Sequence, residues 1–254
     1  MCAYYTQIVR AVQPQGPYDL GGYSLGGVLV YEVTRQLQEL GQTITTMTML
    51  DSLDSAELKN IDIYWSYKTM LLQTVNMALG TINQAEPETF SEKLIHRDAL
   101  DLDTDDETFV RNLVEMAEER GMIRTQAQLQ ELIEQCSKVQ QAYELTRFGV
   151  QPLTHPDQVT CYYFRNGSGL LLGQLEPYFK LPIDDVISVD HVNYWSEWEA
   201  EIEDFQMVDV DSSNHFMLLS EPKAKKPIMK FCQELYSKEG LDNSLLSQND
   251  LESD

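Results

Sequence analysis

The chain has 254 residues and a formal net charge of −23, from 18 Lys and Arg against 41 Asp and Glu. That excess argues against nucleic acid and anionic lipid surfaces as partners, and no apolar run approaches the ~18 residues of a membrane-spanning helix. With 43% hydrophobic residues and a mean hydropathy of −0.34, the composition is that of a globular protein that can bury one substantial core.

The N-terminus, MCAYYTQIVR, lacks a charged region followed by an apolar run, so no signal peptide is expected. The four cysteines, Cys2, Cys136, Cys161 and Cys232, form no CxxC pair. They suit free thiols in a reducing cytoplasm better than a disulfide framework. Residues 4–12 read as a short amphipathic helix, stopped by the breakers from Pro14 to Pro17. Tyr18-Asp19-Leu20 reads as a short strand running into Gly21-Gly22-Tyr23-Ser24-Leu25-Gly26-Gly27. A helix-period segment follows from Val28 and closes on Gly41. The β-branched run Thr43–Leu50 predicts a buried strand with Asp51 at its end. Strand, turn, helix and strand make one βαβ unit, and hence a parallel sheet covered by helices.

From Ser52 to about Pro156 the pattern turns helical, with segments near 60–80, 107–119 and 126–148. Between Glu86 and Glu119 there are twelve acidic residues against three basic ones, which reads as a solvated face. Strand signals return at Val159–Phe164, at Val186–Val189 and at Phe205–Val210, and Ala224–Leu235 supplies a closing helix. The boundaries drawn are therefore a core of residues 1–52 and 157–236, a helical insertion over 53–156, and a disordered acidic tail over 237–254.

Gly22-x-Ser24-x-Gly26 between a strand and a helix has the form of a nucleophile elbow. The turn is tight enough to strain the nucleophile's backbone and to require small neighbours two residues away. It lifts Ser24 Oγ above the carboxyl edge of the sheet, onto the N-terminus of the next helix. There the peptide N–H of Leu25 is placed to donate to an oxyanion. A hydroxyl needs an adjacent base held by a third group. The candidates for that base are His96, His155, His191 and His215. His215 follows the last strand within a polar turn and is favoured by position. Asp51, at the end of the strand after the elbow, is the favoured acid, with Asp190 and Asp209 as rivals.

PQGPYDLGGYSLGG, MLDS and NHFMLL together resemble the thioesterase domains that end type I polyketide synthases and non-ribosomal peptide synthetases. The resemblance spans residues 1–52 and about 157–236, with the insertion where that family carries its lid. It implies an α/β-hydrolase fold with a large helical lid, and an acyl or peptidyl chain delivered as a phosphopantetheine thioester on a carrier protein in the same polypeptide. Ser24 would take the chain as an ester, with His215 and Asp51 as its partners, and hydrolysis or macrocyclisation would release it. No cofactor or metal is implied. Tyr64, Trp65, Met70, Leu71 and Leu72 are candidates for lining a substrate chamber, with helix-core packing the plainer reading for most of them. Only 23 residues precede Ser24, so the reading expects the family's N-terminal strands, and with them the second oxyanion donor, to be missing. A discrete editing thioesterase, a generic carboxylesterase or lipase, and a non-catalytic carrier-binding fragment stand as alternatives.

Overall fold

A computed structural model describes residues 1–52, 66–83, 87–122, 151–184 and 196–237, with 127–129, 131 and 135. The chain divides into two compact units, one of residues 1–53, 152–171 and 194–254, the other of residues 54–151 and 172–193.

In the first unit, helix α1 (Cys2–Val12) leads into β1 (Tyr18–Tyr23), and α2 (Leu25–Glu39) connects β1 to β2 (Ile44–Leu50). Two further strands, β3 (Thr160–Asn166) and β4 (Asp204–Val210), complete a four-stranded sheet in the order β1-β2-β3-β4. All three pairings are parallel. Register aligns Tyr23 with Leu50, Leu50 with Phe164, and Phe164 with Val208, so the four carboxyl ends share one edge. The central strands read as apolar runs because both faces are covered: Met47, Met49, Cys161, Tyr163 and Phe164 are fully buried. Burial pushes the Cys161 thiol well above its ordinary value, so it packs as a small apolar group. Helix α2 turns Tyr31, Val33, Thr34, Leu37 and Gln38 inward. Tyr31 meets the buried Trp198 ring at a centroid distance of 5.0 Å. The closing helix, labelled α5 (Pro222–Leu235), sets Ala224 and Ile228 against Phe164, Val210 and Leu218.

β1 runs to Tyr23, past the Leu20 that sequence suggested, because Gly21 and Gly22 pair with Thr48 and Met49. Tertiary pairing here overrides the low strand propensity of glycine. The closing helix likewise starts at Pro222 rather than Ala224, since proline is well accommodated in a first helical turn.

The second unit is built on α3 (Tyr67–Asn83) and α4 (Asp106–Glu119). Leu71, Leu72, Val75 and Leu79 form the buried stripe of α3, and Phe109, Val110, Leu113, Val114 and Ala117 that of α4. Asp105 caps α4 by accepting from the Thr108 N–H at 2.8 Å, a bond that holds its carboxyl below the usual range. The helix ends on Gly121 at φ 90°, with the Met122 N–H reaching back to the Ala117 carbonyl.

Residues 172–184 belong to this helical unit, whereas the sequence boundaries placed them in the core. Long-range polar bonds explain the difference. The Asn76 carboxamide donates to the carbonyls of Ile95 (2.8 Å) and Tyr178 (2.7 Å), and Gln73 donates to that of Phe179 (2.8 Å). Asp184 accepts from the Ser66 N–H at 2.9 Å and from the Thr69 hydroxyl. Residues 152–156 go the other way, held to the sheet unit by the Gln38 side chain, which bonds both backbone groups of His155. The expected strand at Val186–Val189, most of the helix at 126–148, and the tail beyond Ser237 lie outside the described residues. Among the described residues no helix is long and apolar enough to cross a membrane.

Candidate active site

Ser24 stands between β1 and α2 with φ 56° and ψ −125°. With Asp51, at φ 47°, it is one of two non-glycine residues with positive φ among those described. Such backbone costs of order 1–3 kcal/mol and persists only when its surroundings fix it. The Ser24 N–H donates to the Leu50 carbonyl at 2.9 Å, extending the β1–β2 ladder through the turn, and its carbonyl accepts from Gly27 at 3.0 Å.

The glycines divide their roles in a way the motif does not suggest. A Cβ on Gly22 would lie 2.1 Å from the Gly26 carbonyl oxygen, so the turn cannot close without a glycine there. A Cβ on Gly27 would lie 1.8 Å from Ser52 Oγ. A Cβ on Gly26 would meet nothing within 4 Å. The expectation that both neighbours two residues away must be small therefore holds for Gly22 and fails for Gly26, which contributes backbone rather than space.

Asp51 follows β2 at the same edge and is 4% exposed. Its N–H donates to the Phe164 carbonyl at 2.8 Å, and its Oδ1 accepts from the Asn166 N–H at 3.1 Å. Its Oδ2 lies 2.9 Å from Nδ1 of His215. His215 is itself 5% exposed and starts a short 3-10 turn, His215–Met217, capped by the Asn214 side chain on the Met217 N–H. The His215 N–H donates to the Leu170 carbonyl at 2.8 Å, and its Nε2 lies 3.0 Å from Ser24 Oγ.

The structure thus brings Ser24, His215 and Asp51 together. A carboxylate can only accept, so the Nδ1 proton belongs on the Asp51 side and Nε2 is the acceptor toward the serine hydroxyl. That tautomer is the one a proton relay needs. Leu25 opens α2, where its N–H has no intrahelical acceptor and points with the positive end of the helix.

The other candidates are placed elsewhere. His96 accepts from the Asp98 N–H at 3.2 Å and sits edge-on to Tyr178. His155 is held through its backbone by Gln38. Asp209 is taken by Arg165 through two hydrogen bonds of 2.5 and 2.7 Å. Of the chamber candidates, Leu71 and Leu72 are fully buried in the helical unit and Met70 is half-buried. Asp190, His191, Tyr64 and Trp65 lie outside the described residues. No cluster of three potential metal ligands occurs among the described residues.

Sequence reasoning missed two supports. The loop after β3 serves both partners of the serine, since the Asn166 N–H binds Asp51 and the Leu170 carbonyl binds His215. Asn166 stiffens that loop by donating to Leu170 and accepting from Ser168. Tyr23, the unspecified residue of the elbow, packs flat on His215. The cluster Asn166-Gly167-Ser168-Gly169 was a visible turn signal, but a backbone donor leaves no mark in a sequence.

A family model described as "Thioesterase domain" matches residues 1–236. The polyketide synthase PksR of Bacillus subtilis (strain 168) is 46% identical over 244 residues, which is 96% of this chain and 9% of that protein. A dimodular nonribosomal peptide synthase of the same organism is 31% identical over 122 residues, 44% of this chain and 5% of that protein. The chain thus spans less than a tenth of the length of either relative. Among solved structures, a holo four-domain nonribosomal peptide synthetase bound to AMP and glycine gives a TM-score of 0.63 at 17% identity, covering 93% of this chain and 16% of that one. The Vlm2 thioesterase domain bound with a dodecadepsipeptide gives 0.50 at 13% identity, covering 93% and 74%. These likenesses speak to fold alone, and with the parallel sheet flanked by helices the fold is that of the α/β-hydrolases.

Proposed function

Since this chain belongs to the thioesterase-domain family, we propose that it releases an acyl, polyketide or peptidyl chain from a carrier-protein phosphopantetheine thioester through an ester on Ser24. The observation that carries this is the unbroken relay from Asp51 Oδ2 through His215 to Ser24 Oγ, with steps of 2.9 and 3.0 Å.

In acylation, Ser24 Oγ attacks the thioester carbonyl carbon while its proton passes to Nε2 of His215. The carbonyl oxygen gains the negative charge, and the Leu25 N–H lies on the helix end suited to receive it. Asp51 remains ionised and stabilises the imidazolium. The C–S bond then breaks, the sulfur takes the proton from His215, and the chain remains esterified to Ser24. In deacylation His215 removes a proton from the incoming nucleophile and returns it to Ser24 Oγ. Water as that nucleophile gives a free acid, and a hydroxyl or amine of the chain itself gives a lactone or lactam.

The partner on this reading is an acyl or peptidyl carrier protein. PksR is more than ten times the length of the segment matched here, which supports delivery by a carrier in the same polypeptide. Tethering replaces diffusional capture by a high effective concentration, so the charge of −23 need not attract the partner.

The test is to label the protein with a fluorophosphonate probe, and then to compare an acyl-pantetheine thioester with a simple aryl ester of the same acyl group. The expected result is a single adduct on Ser24 and a higher kcat/KM for the thioester. Absence of an adduct on folded protein would sink the proposal, and a preference for the aryl ester would move it to the carboxylesterases.

A further inference from the structure

The motif specifies the glycines and the serine of the elbow and leaves residue 23 open. Here that residue is a tyrosine, and it touches the histidine twice. Its ring lies over the His215 imidazole with centroids 4.9 Å apart and planes 19° from parallel. Its hydroxyl donates to the His215 carbonyl oxygen at 2.7 Å. Burial, and then the nearby Asp51 charge, push the phenol well above its ordinary value, so it remains a proton donor across any working pH.

We propose that Tyr23 is a positioning residue for His215, whose stacked ring fixes the imidazole plane and favours its protonated form during acyl transfer. The inference rests on the Ser24–His215 reading above and deepens it. Four identified groups meet the imidazole among the described residues. Asp51 lies at Nδ1 and Ser24 at Nε2, Tyr23 covers one face, and the Phe216 ring stands edge-on at 5.5 Å and 87°. Of these four, Asp51 and Tyr23 carry titratable side chains. Asp51 and Ser24 fix the two nitrogens by hydrogen bonds but do not themselves contact the ring face. A flat partner adds a restraint on the ring plane.

The ring also discriminates between charge states. A neutral imidazole gains only dispersion from an aromatic face, whereas an imidazolium gains a cation–π attraction as well. The proton arrives on His215 only as Ser24 attacks, so the extra attraction is realised in the transition state and not before. Because Tyr23 is joined to Ser24 by one peptide bond, nucleophile and base are held by a single rigid strand end.

The test uses the full chain and two variants, Tyr23→Leu and Tyr23→Phe. The His215 titration midpoint is read from its Cε1–H NMR signal, and kcat and KM are measured with an acyl-pantetheine thioester across pH. Tyr23→Leu should lower the midpoint and the acid limb of kcat by about 0.7 pH unit and lower kcat about five- to tenfold, with KM little changed. Tyr23→Phe keeps the face and loses only the hydroxyl, so its midpoint should stay within about 0.2 unit and its kcat within about threefold. Equal losses in both variants, or an unmoved midpoint in Tyr23→Leu, would overturn the inference. Failure of the proposed function would look different, as a wild-type protein with no turnover and no fluorophosphonate adduct.

Discussion

Asp51 and Asn76 are both buried polar side chains, one at the edge of the sheet and the other within α3, and they spend their hydrogen bonds differently. Asn76 uses both amide protons and its oxygen on backbone groups of Ile95 and Tyr178. It is a closed clasp between segments. Asp51 gives one oxygen to the Asn166 N–H and the other to a ring whose far nitrogen reaches a half-buried hydroxyl. A polar group that ends on backbone stabilises an arrangement, whereas one that ends on a transferable proton prepares a reaction. Strain follows the same division, since both non-glycine residues with positive φ among those described are in the second kind of network.

The comparison breaks most sharply on rate. Ser24→Ala should lower kcat with an acyl-pantetheine thioester by about 10⁶-fold and abolish the fluorophosphonate adduct, with circular dichroism unchanged. Asp51→Asn should lower kcat by about 10⁴-fold at near-constant stability, because an asparagine tolerates the left-handed backbone but no longer fixes the tautomer. If Asp51→Asn unfolded the protein instead, Asp51 would be a clasp like Asn76.

Asn76→Ala should show the opposite signature. It leaves two carbonyls and the Ile95 N–H unpaired in a buried place, a cost of about 2–4 kcal/mol. Denaturant melts should register it, while kcat of the folded fraction changes less than about threefold. A catalytic loss without a stability loss would erase the distinction between the two residues.

The glycines sharpen the comparison at smaller scale. Gly27→Ala drives a methyl into Ser52 Oγ and should cost about 1–3 kcal/mol by thermal melting. Gly26→Ala meets open space and should be neutral or stabilising by up to about 1 kcal/mol, because alanine is the better helix former. Equal penalties at both positions would refute the division of roles within the elbow.

These residues also show why some features could be read from the sequence and others could not. The elbow, the parallel sheet and the pairing of Ser24 with His215 were legible because each rests on local residue types in chain order. Asp51 was favoured by its place at the end of the strand after the elbow, but that position did not exclude Asp209, which lies near the end of β4. Side-chain partners separate them, since His215 meets Asp51 and Arg165 claims Asp209. The attachment of residues 172–184 to the helical unit was illegible for a related reason. It depends on Asn76 and Asp184 reaching partners about a hundred positions away. Gly26 misled in the opposite direction, because the residue that requires it to be close is Gly22.

The rival acid supplies the smallest and most discriminating prediction. The Arg165 hydrogen bonds hold the Asp209 carboxyl below its ordinary value, and its side chain is 60% exposed. A depressed folded-state value means that the pair adds stability above the unfolded carboxylate value of about 3.9 and loses it as pH falls through the folded value. Exposure to solvent limits the contribution to less than about 1 kcal/mol. Asp209→Asn should therefore lower Tm by no more than about 3 °C near pH 7, with the difference from wild type shrinking as pH falls below the unfolded carboxylate value and through the lower folded one. Turnover should be unchanged throughout, because the carboxylate next to His215 is that of Asp51. A hundredfold loss of kcat in Asp209→Asn at full stability would transfer the acid's role from β2 to β4 and undo the relay as drawn.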